Sequence, residues 1–486
     1  MDTLLLGAPP PAVVDLLREA PWMEETPRRT GRFELHDAAV LGDVRLLIVA
    51  SVTAEATTRW FVPVAGAGPV RSATCDAAFD RLVVAALRDG LDLPTARGNT
   101  VRFRGAPPAY RGQVPFDPGW CSNTLSLLDL GGGAHVHKTY RRIDTGTREP
   151  ELLRLMAATG RTQQPAGDYT YVDTSTGRRE PLGVVYRYAA GEGLNVPLRT
   201  GIRAVWPLLA AGGGPDAAVA ASLRDLTAPL REAGRFLHGF HRDLAERLGG
   251  HPEGDAEAQT AEAARRLAAL RPQILDDTRY PAAVRRAAVT GLERALSAVR
   301  SLPARPWPSG PCHGDLHLSH LLRRERADGT WEMCVIDLST PSPDPEDPST
   351  VSSPWQDLAA LRRGLEIFAA DEFTDHAAQT VGMDPEDTCR TALLQAAGVA
   401  PDTPGWTARR LAELDRLRAA AGLWATRAGD LLADPGPGSS LHPAWRLIRL
   451  RRLIHELEYA YAHDRAYHAA INLRHAVEAS GVPASR

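Results

Sequence analysis

The stretch PCHGDLHLSHLL, residues 311–322, and the stretch MCVIDLSTP, residues 333–341, set the expectation for the fold. In the first, Asp315 closes His313-Gly314-Asp315, and His320 follows five positions later. In the second, Asp337 stands 22 residues beyond Asp315, at the end of the apolar run 333–336. That run reads as a strand. Far upstream lies the third element of the pattern, Lys138. It is the only lysine among 56 basic residues; every other one is arginine. Codon bias accounts for the replacement of lysine in general. It does not account for the one that stays, because Arg and Lys differ wherever a compact ammonium on a narrow stem is needed.

Working outward, Lys138 falls in SNTLSLLDLGGGAHVHKTYRR, residues 122–142. Two strand patterns flank Gly131-Gly132-Gly133, so a hairpin is expected with Lys138 on its second strand. Residues 147–159 read as a helix with Pro150 in its first turn, where proline is tolerated. Strand signals follow at 168–174 and 182–188. The order β-β-α-β-β is that of the small lobe of a protein-kinase-like fold. Before it, a short helix (11–19), strands (32–35, 44–53, 58–64) and a helix (76–88) make a small mixed domain. Residues 106–118, rich in Pro and Gly, read as a linker. After about residue 200 the pattern is helical: 225–248, 256–270, 281–302, 406–432 and 445–479. The acidic stretch 371–405 reads as a peripheral insertion, and SPDPEDP (342–348) as a loop. The expected class is therefore α+β: a two-lobed kinase-like fold preceded by an N-terminal α/β cap. Its domains are a cap at 1–110, a nucleotide-binding lobe at 111–198 and a helical lobe at 199–486.

Composition narrows the function classes. With 59 acidic against 56 basic residues the net charge is −3, unlike the strongly basic surface that nucleic acid favours. No stretch approaches the roughly 18 apolar residues of a membrane span. The start lacks a basic n-region and carries Asp2 and Asp15, so no signal peptide is expected. Five scattered cysteines with no CxxC pair indicate neither a zinc site nor a disulfide framework. A soluble cytoplasmic protein is the expectation, with its oligomeric state open.

Phosphoryl transfer from a nucleotide needs a cation on the phosphates, metal ligands and a group that orients the attacking hydroxyl. Lys138 suits the first role. Asp337 suits Mg²⁺, because a hard ion prefers carboxylate oxygen. Asp315 would orient or deprotonate the acceptor. Glu151 can pair with Lys138 and hold it; an i,i+3 pair with Arg154 is its competing use. A loop aspartate capping a turn is the bland alternative for Asp315.

On these residues the chain resembles bacterial maltokinases and their relatives, which include actinobacterial glucosamine kinases and aminoglycoside phosphotransferases. HGDLHL resembles the family's catalytic loop and VID its metal-binding strand. SPWQDLAAL (353–361), HELEYAYAHDR (455–465) and the N-terminal APWMEETPRRTGR (20–32) resemble further family segments. The resemblance implies ATP and Mg²⁺ as cofactors and a sugar or amino sugar as acceptor. It implies nucleotide contacts from Ser122, Asn123, Thr124, Lys138, Glu151, Val185, Tyr186 and Tyr188. It further implies a catalytic role for Asp315, metal binding by Asp337 and His320, and acceptor contacts from His317, Glu456, Tyr459 and Arg465. Asp357 is expected to anchor the catalytic loop from a helix N-terminus. Two departures stand out. His320 occupies the place of the family's Asn or Gln, and imidazole suits later transition metals better than Mg²⁺. After Asp337 the chain reads Leu-Ser-Thr-Pro, without the acidic pair maltokinases often carry. These departures keep a second class of function open, a non-catalytic nucleotide or sugar sensor. An aminoglycoside or secondary-metabolite kinase is the other alternative.

Overall fold

The computed structural model describes residues 7–479 except 55, 67–69, 118–122, 144–145, 304, 327–330, 402 and 434–441. The chain divides into two compact units. The first is Met1–Ala190 together with Ile336–Ser339; the second is Gly191–Val335 together with Thr340–Arg486.

The first unit is built on antiparallel sheets. Its strands are β1 (Arg32–Leu41), β2 (Val44–Val52), β3 (Thr57–Ala65), β4 (Arg71–Ser72), β5 (Asp92–Pro94), β6 (Thr100–Gly105), β7 (Tyr110–Val114), β8 (Thr124–Leu130), β9 (Gly133–Thr139), β10 (Arg142–Ile143), β11 (Pro165–Val172) and β12 (Arg179–Arg187). One sheet runs β1-β2-β3-β10, with β4 on β3; the other runs β5-β6-β11-β12-β9-β8-β7. β1 and β2 join through Gly42-Asp43, where Gly42 takes φ 63, a left-handed value that glycine adopts without penalty. β8 and β9 join through Gly131-Gly132.

Alternation then decides what each face carries. One face of the larger sheet, with Phe103, Leu128, Tyr169, Tyr171 and Val185, packs on Phe79, Val83 and Leu87 of the helix Ala77–Asp89 in a single core. Lys138 belongs to the other face. One cross-strand rung runs Arg104, Asp168, Val184, Lys138, Leu125.

One expectation changes here. The residues read as a linker at 106–118 include β7, which pairs with β8; the Pro and Gly punctuate it without preventing pairing. β5 and β6, from before residue 110, lie in the same sheet as Lys138.

The second unit is helical, with a small sheet of β13 (Glu192–Gly193), β14 (Leu321–Glu325) and β15 (Trp331–Val335). Its longest helix, Pro354–Val381, starts at a capping box: the Ser353 side chain accepts from the first turn, and Gln356 reaches back to the Ser353 N–H. The stretch 371–405 is not a peripheral insertion. The Pro354–Val381 helix runs through its first part, and Cys389, Leu393 and Leu394 of the helix Pro385–Ala396 sit in the main core. Its acidic residues lie among apolar ones at helical spacing, which hides the buried face from a reading of charge. The helix expected over 445–479 is two, Pro443–Ala462 and Ala466–Glu478, with Asp464 between them at φ 47.

Among the described glycines of this unit, Gly291 of the helix Ala282–Arg300 leaves the least room for a Cβ. A Cβ there would lie 2.0 Å from the Ala476 carbonyl oxygen. Gly291→Ala is therefore expected to destabilise the unit by about 1–3 kcal/mol despite alanine's better helix propensity. A thermal melt that is unchanged or raised would show that this packing is looser.

Candidate functional site

In the first unit the site begins with the period of β9. His137 points toward the core helix, where its Nδ1 lies 2.6 Å from Asp80 Oδ1 and its Nε2 lies 3.0 Å from the Tyr169 hydroxyl. The next residue, Lys138, takes the opposite face and is almost wholly buried. Its Nζ is 2.7 Å from Glu149 Oε2 and also donates to Asp337 Oδ1. Burial by itself would lower the ammonium's pKa. The carboxylates of Glu149 and Asp337 outweigh that and hold it above the ordinary lysine range. Tyr140 donates its hydroxyl to Glu149 Oε2 at 2.7 Å, which fixes the carboxylate from a second side. Glu149 Oε1 is buried and, among the described residues, has no hydrogen-bond partner.

Asp337 lies in the left-handed region at φ 62, and its side chain is 52% exposed. A non-glycine residue in that region is strained, and such strain concentrates where function requires a fixed direction. The side chain is thus held by Lys138 and about half exposed.

The partner of Lys138 differs from the expected one. Glu151 pairs with Arg148 at 3.2 Å and is exposed. The cause is helical phase. Glu149, Leu152, Leu153 and Met156 are the buried stripe of the helix Glu149–Met156, and two residues at about 100° each carry Glu151 to the far side. That stripe is the signal from which Glu149 was legible. Glu149→Gln is accordingly expected to lower nucleotide-dependent turnover by about tenfold or more through loss of a charge-assisted contact. Glu151→Gln should leave turnover near the parent's. Equal losses in the two variants would contradict the assignment.

The remaining nucleotide contacts are placed as follows. Ser122 lies outside the described residues. Asn123 is half-buried just before β8, and Thr124 opens that strand, its hydroxyl accepting from Arg141 Nε at 2.8 Å. Tyr186 is buried and close enough to Lys138 to act on its charge. Tyr188 is partly exposed and edge-on to Phe116, with ring centroids 6.3 Å apart. Val185 does not join them. It pairs with His137 and packs in the core, one residue out of phase with the Lys138 face.

In the second unit the site is a loop fixed by a buried carboxylate. Asp357, in the first turn of the Pro354–Val381 helix, accepts from the backbone N–H of His313 at 2.6 Å and of Gly314 at 3.1 Å, and lies 2.7 Å from His241 Nε2. Burial would raise the pKa of Asp357, but His241, His313 and these bonds hold it below the usual range. Gly314 turns the chain at φ 95. Asp315 follows, its side chain open to solvent and its Oδ1 3.0 Å from His317 Nε2. That hydrogen bond is the main reason the Asp315 carboxyl stays well below the ordinary range; burial opposes it, and the charges of Arg452 and His320 add to it. His320 places Nδ1 3.0 Å from the Asp315 carbonyl oxygen. A carbonyl only accepts, so Nδ1 carries the proton. The ring thereby closes the short 3₁₀ turn Leu318–His320.

Of the residues expected at the acceptor, His317 is at Asp315. Tyr459 and Arg465 are together, the guanidinium 5.0 Å from the ring centroid. Glu456 is not available in the same way. Arg363 holds it at 2.9 Å and Arg452 at 3.0 Å, and its side chain is only 10% exposed. The reason is that Arg363 is itself almost fully buried and needs a counter-ion. Arg452 was not foreseen; its i,i+4 spacing to Glu456 was the available signal.

Among the described residues no group of three or more His, Cys, Asp or Glu side chains is set to hold a metal ion, and no helix is long and apolar enough to cross a membrane.

Comparison with known proteins places these features. A model of the phosphotransferase enzyme family (APH) matches residues 130–412. No curated protein matches by sequence. A glucosamine kinase structure aligns over 97% of this chain and 98% of its own, at 19% identity and a TM-score of 0.55. A glucosamine kinase in complex with glucosamine, ADP and inorganic phosphate aligns over 96% and 98%, at 18% identity and a TM-score of 0.50. At these identities the likeness is one of fold. The family match itself spans more than half of the sequence and takes in Lys138, Glu149, Asp315 and Asp337, and the chain belongs to the phosphotransferase enzyme family.

Proposed function

We propose that the chain is an ATP-dependent kinase that transfers the γ-phosphate to a hydroxyl of a sugar or amino sugar. The observation that carries this reading is the one lysine of the sequence, buried between Glu149 and Asp337. Such an ammonium stays charged and fixed, which is what a cation on nucleotide phosphates requires.

The division of labour follows from the groups. Lys138, held by Glu149, takes the phosphates of ATP, with Asn123, Thr124, Tyr186 and Tyr188 as further contacts. Asp337 suits Mg²⁺: it offers a half-open carboxylate, a hard oxygen donor. Mg²⁺, when bound, would neutralise charge on the transferring phosphoryl group. The imidazole of His320, engaged through Nδ1 with the Asp315 carbonyl, suits that ion less well. Asp315 accepts a hydrogen bond from the acceptor hydroxyl. The His317 hydrogen bond holds its carboxyl below the ordinary range, so it is an anion able to accept that hydrogen bond and orient the hydroxyl. In the step, the hydroxyl oxygen forms a bond to the γ-phosphorus, the bond to the bridging oxygen of ADP breaks, and the hydroxyl proton leaves late, to the phosphate product or solvent. Residues 1–110 as cap, 111–198 as nucleotide-binding lobe and 199–486 as acceptor-binding lobe remain our functional division.

The acceptor class is supported by the likeness to glucosamine kinases and by the Tyr459–Arg465 pair, an aromatic and polar surface suited to a polyhydroxylated ring. The test is ADP release with maltose, glucosamine and an aminoglycoside side by side. Turnover on one of the sugars is the expected result. His320 supports a second reading, a sensor that binds nucleotide without turning it over. Calorimetric binding of ATP with no ADP release on any acceptor would favour that reading.

A further inference from the structure

We infer that the first unit carries a second anion site, a groove beside the helix Glu149–Met156 that takes a small phosphate-bearing polyanion. The groove has a volume of about 890 Å³, within the range of small-molecule sites. It lies on the same sheet face as Lys138, since Arg104 and Asp168 share a cross-strand rung with it. Five arginines line it: Arg102 and Arg104 from β6, Arg179 from β12, Arg154 from the helix Glu149–Met156 and Arg148 just before that helix.

Charge identifies the ligand. Arg154 is paired with Asp168, Arg148 with Glu151, and Arg102 and Arg104 share Asp92. Arg179 has no partner among the described residues. Among the described residues these five guanidinium groups share three carboxylates, Asp168, Glu151 and Asp92. A planar guanidinium fork matches a phosphate edge with two parallel hydrogen bonds. Along the groove β6 and β11 close up backbone to backbone at Gly105 and Gly167. A Cβ on Gly105 would meet the Ala166 carbonyl oxygen at 2.4 Å, and one on Gly167 would meet the Arg104 carbonyl oxygen at 3.0 Å.

The position gives the site a consequence. Arg148, Glu151 and Arg154 stand at one side of the helix Glu149–Met156 and line the groove. Glu149, on the buried side of that helix, holds Lys138. A polyanion gripping Arg148 and Arg154 steadies the helix and, through it, the ion pair. This last step rests on the reading of Lys138 as the nucleotide's cation; the binding itself does not.

Inorganic tripolyphosphate is the probe. It is titrated calorimetrically into the full chain, into Lys138→Ala and into the double variant Arg102→Gln/Arg179→Gln. Hydrogen exchange is followed in residues 149–156. We expect Lys138→Ala to keep one binding event, and the double variant to lose it, with affinity weaker by about tenfold or more. Exchange in 149–156 should slow on binding in the parent and not in the double variant. Unchanged binding in the double variant, or a single event that vanishes in Lys138→Ala, overturns the site. Binding with no change in exchange overturns the link to the helix. None of these readouts needs turnover, so a failure of the proposed kinase activity would be seen separately.

Discussion

Asp315→Asn is expected to fold as the parent does and to lose phosphoryl transfer by about 10³-fold or more. Stability should hardly move, because the Asp315 side chain is largely exposed and, among the described residues, its short side-chain contact is with His317; exposed pairs of this kind contribute about 1 kcal/mol or less. The loop is shaped by other groups. Asp357 holds the His313 and Gly314 amides, and His320 holds the Asp315 carbonyl. None of these bonds uses the Asp315 carboxylate. Asn keeps the size and one acceptor oxygen but removes the negative charge and presents an NH₂ that can face the hydroxyl the wrong way. Circular dichroism melts beside single-turnover kinetics measure both halves. A folded variant that still turns over near the parental rate would remove Asp315 from the chemistry.

Lys138→Arg keeps the charge and is expected to lose activity by about 10²-fold, the scale of a roughly 1 Å displacement of a positioned group. The reason is room. The ammonium sits between Glu149 and Asp337 with Tyr140 beside it, its nitrogen 5.6 Å from the ring centroid, in a nearly closed space. A guanidinium is wider and planar. It can satisfy the carboxylates only by moving the helix Glu149–Met156 or Asp337, and overpacking of that kind costs about 1–3 kcal/mol. The sequence has arginine at every other basic position, so an arginine that works equally well here would leave the single lysine without a cause. The kinetic comparison should be made at saturating ATP, so that a rise in KM alone is not mistaken for a loss in kcat.

What the sequence disclosed and what it concealed have physical reasons. Lys138, Asp315, Asp337 and Asp357 were legible because each sits at a marked place: a hairpin strand, a His-Gly-Asp loop, the end of an apolar run, a helix start. Glu149 is hard to tell from Glu151 in the sequence because both lie in the first helical turn, and only the phase of Leu152, Leu153 and Met156 separates them. Val185 was assigned to the site because its strand is there; alternation sends it to the core. Glu456 looked open on its own helix, and Arg363, which binds it, comes from 93 residues away. The arginine groove was invisible for the same reason. It depends on the register of β6 against β11, two strands separated by most of the sheet's connections.

The most direct measurement of the central claim is transfer of label from γ-labelled ATP to a sugar, in the parent and in Asp315→Asn. We predict that label moves to glucosamine or maltose in the parent, with ADP released in equal amount, and that it stays on ATP in the variant. ATP that binds the parent and remains intact with every acceptor would contradict the account.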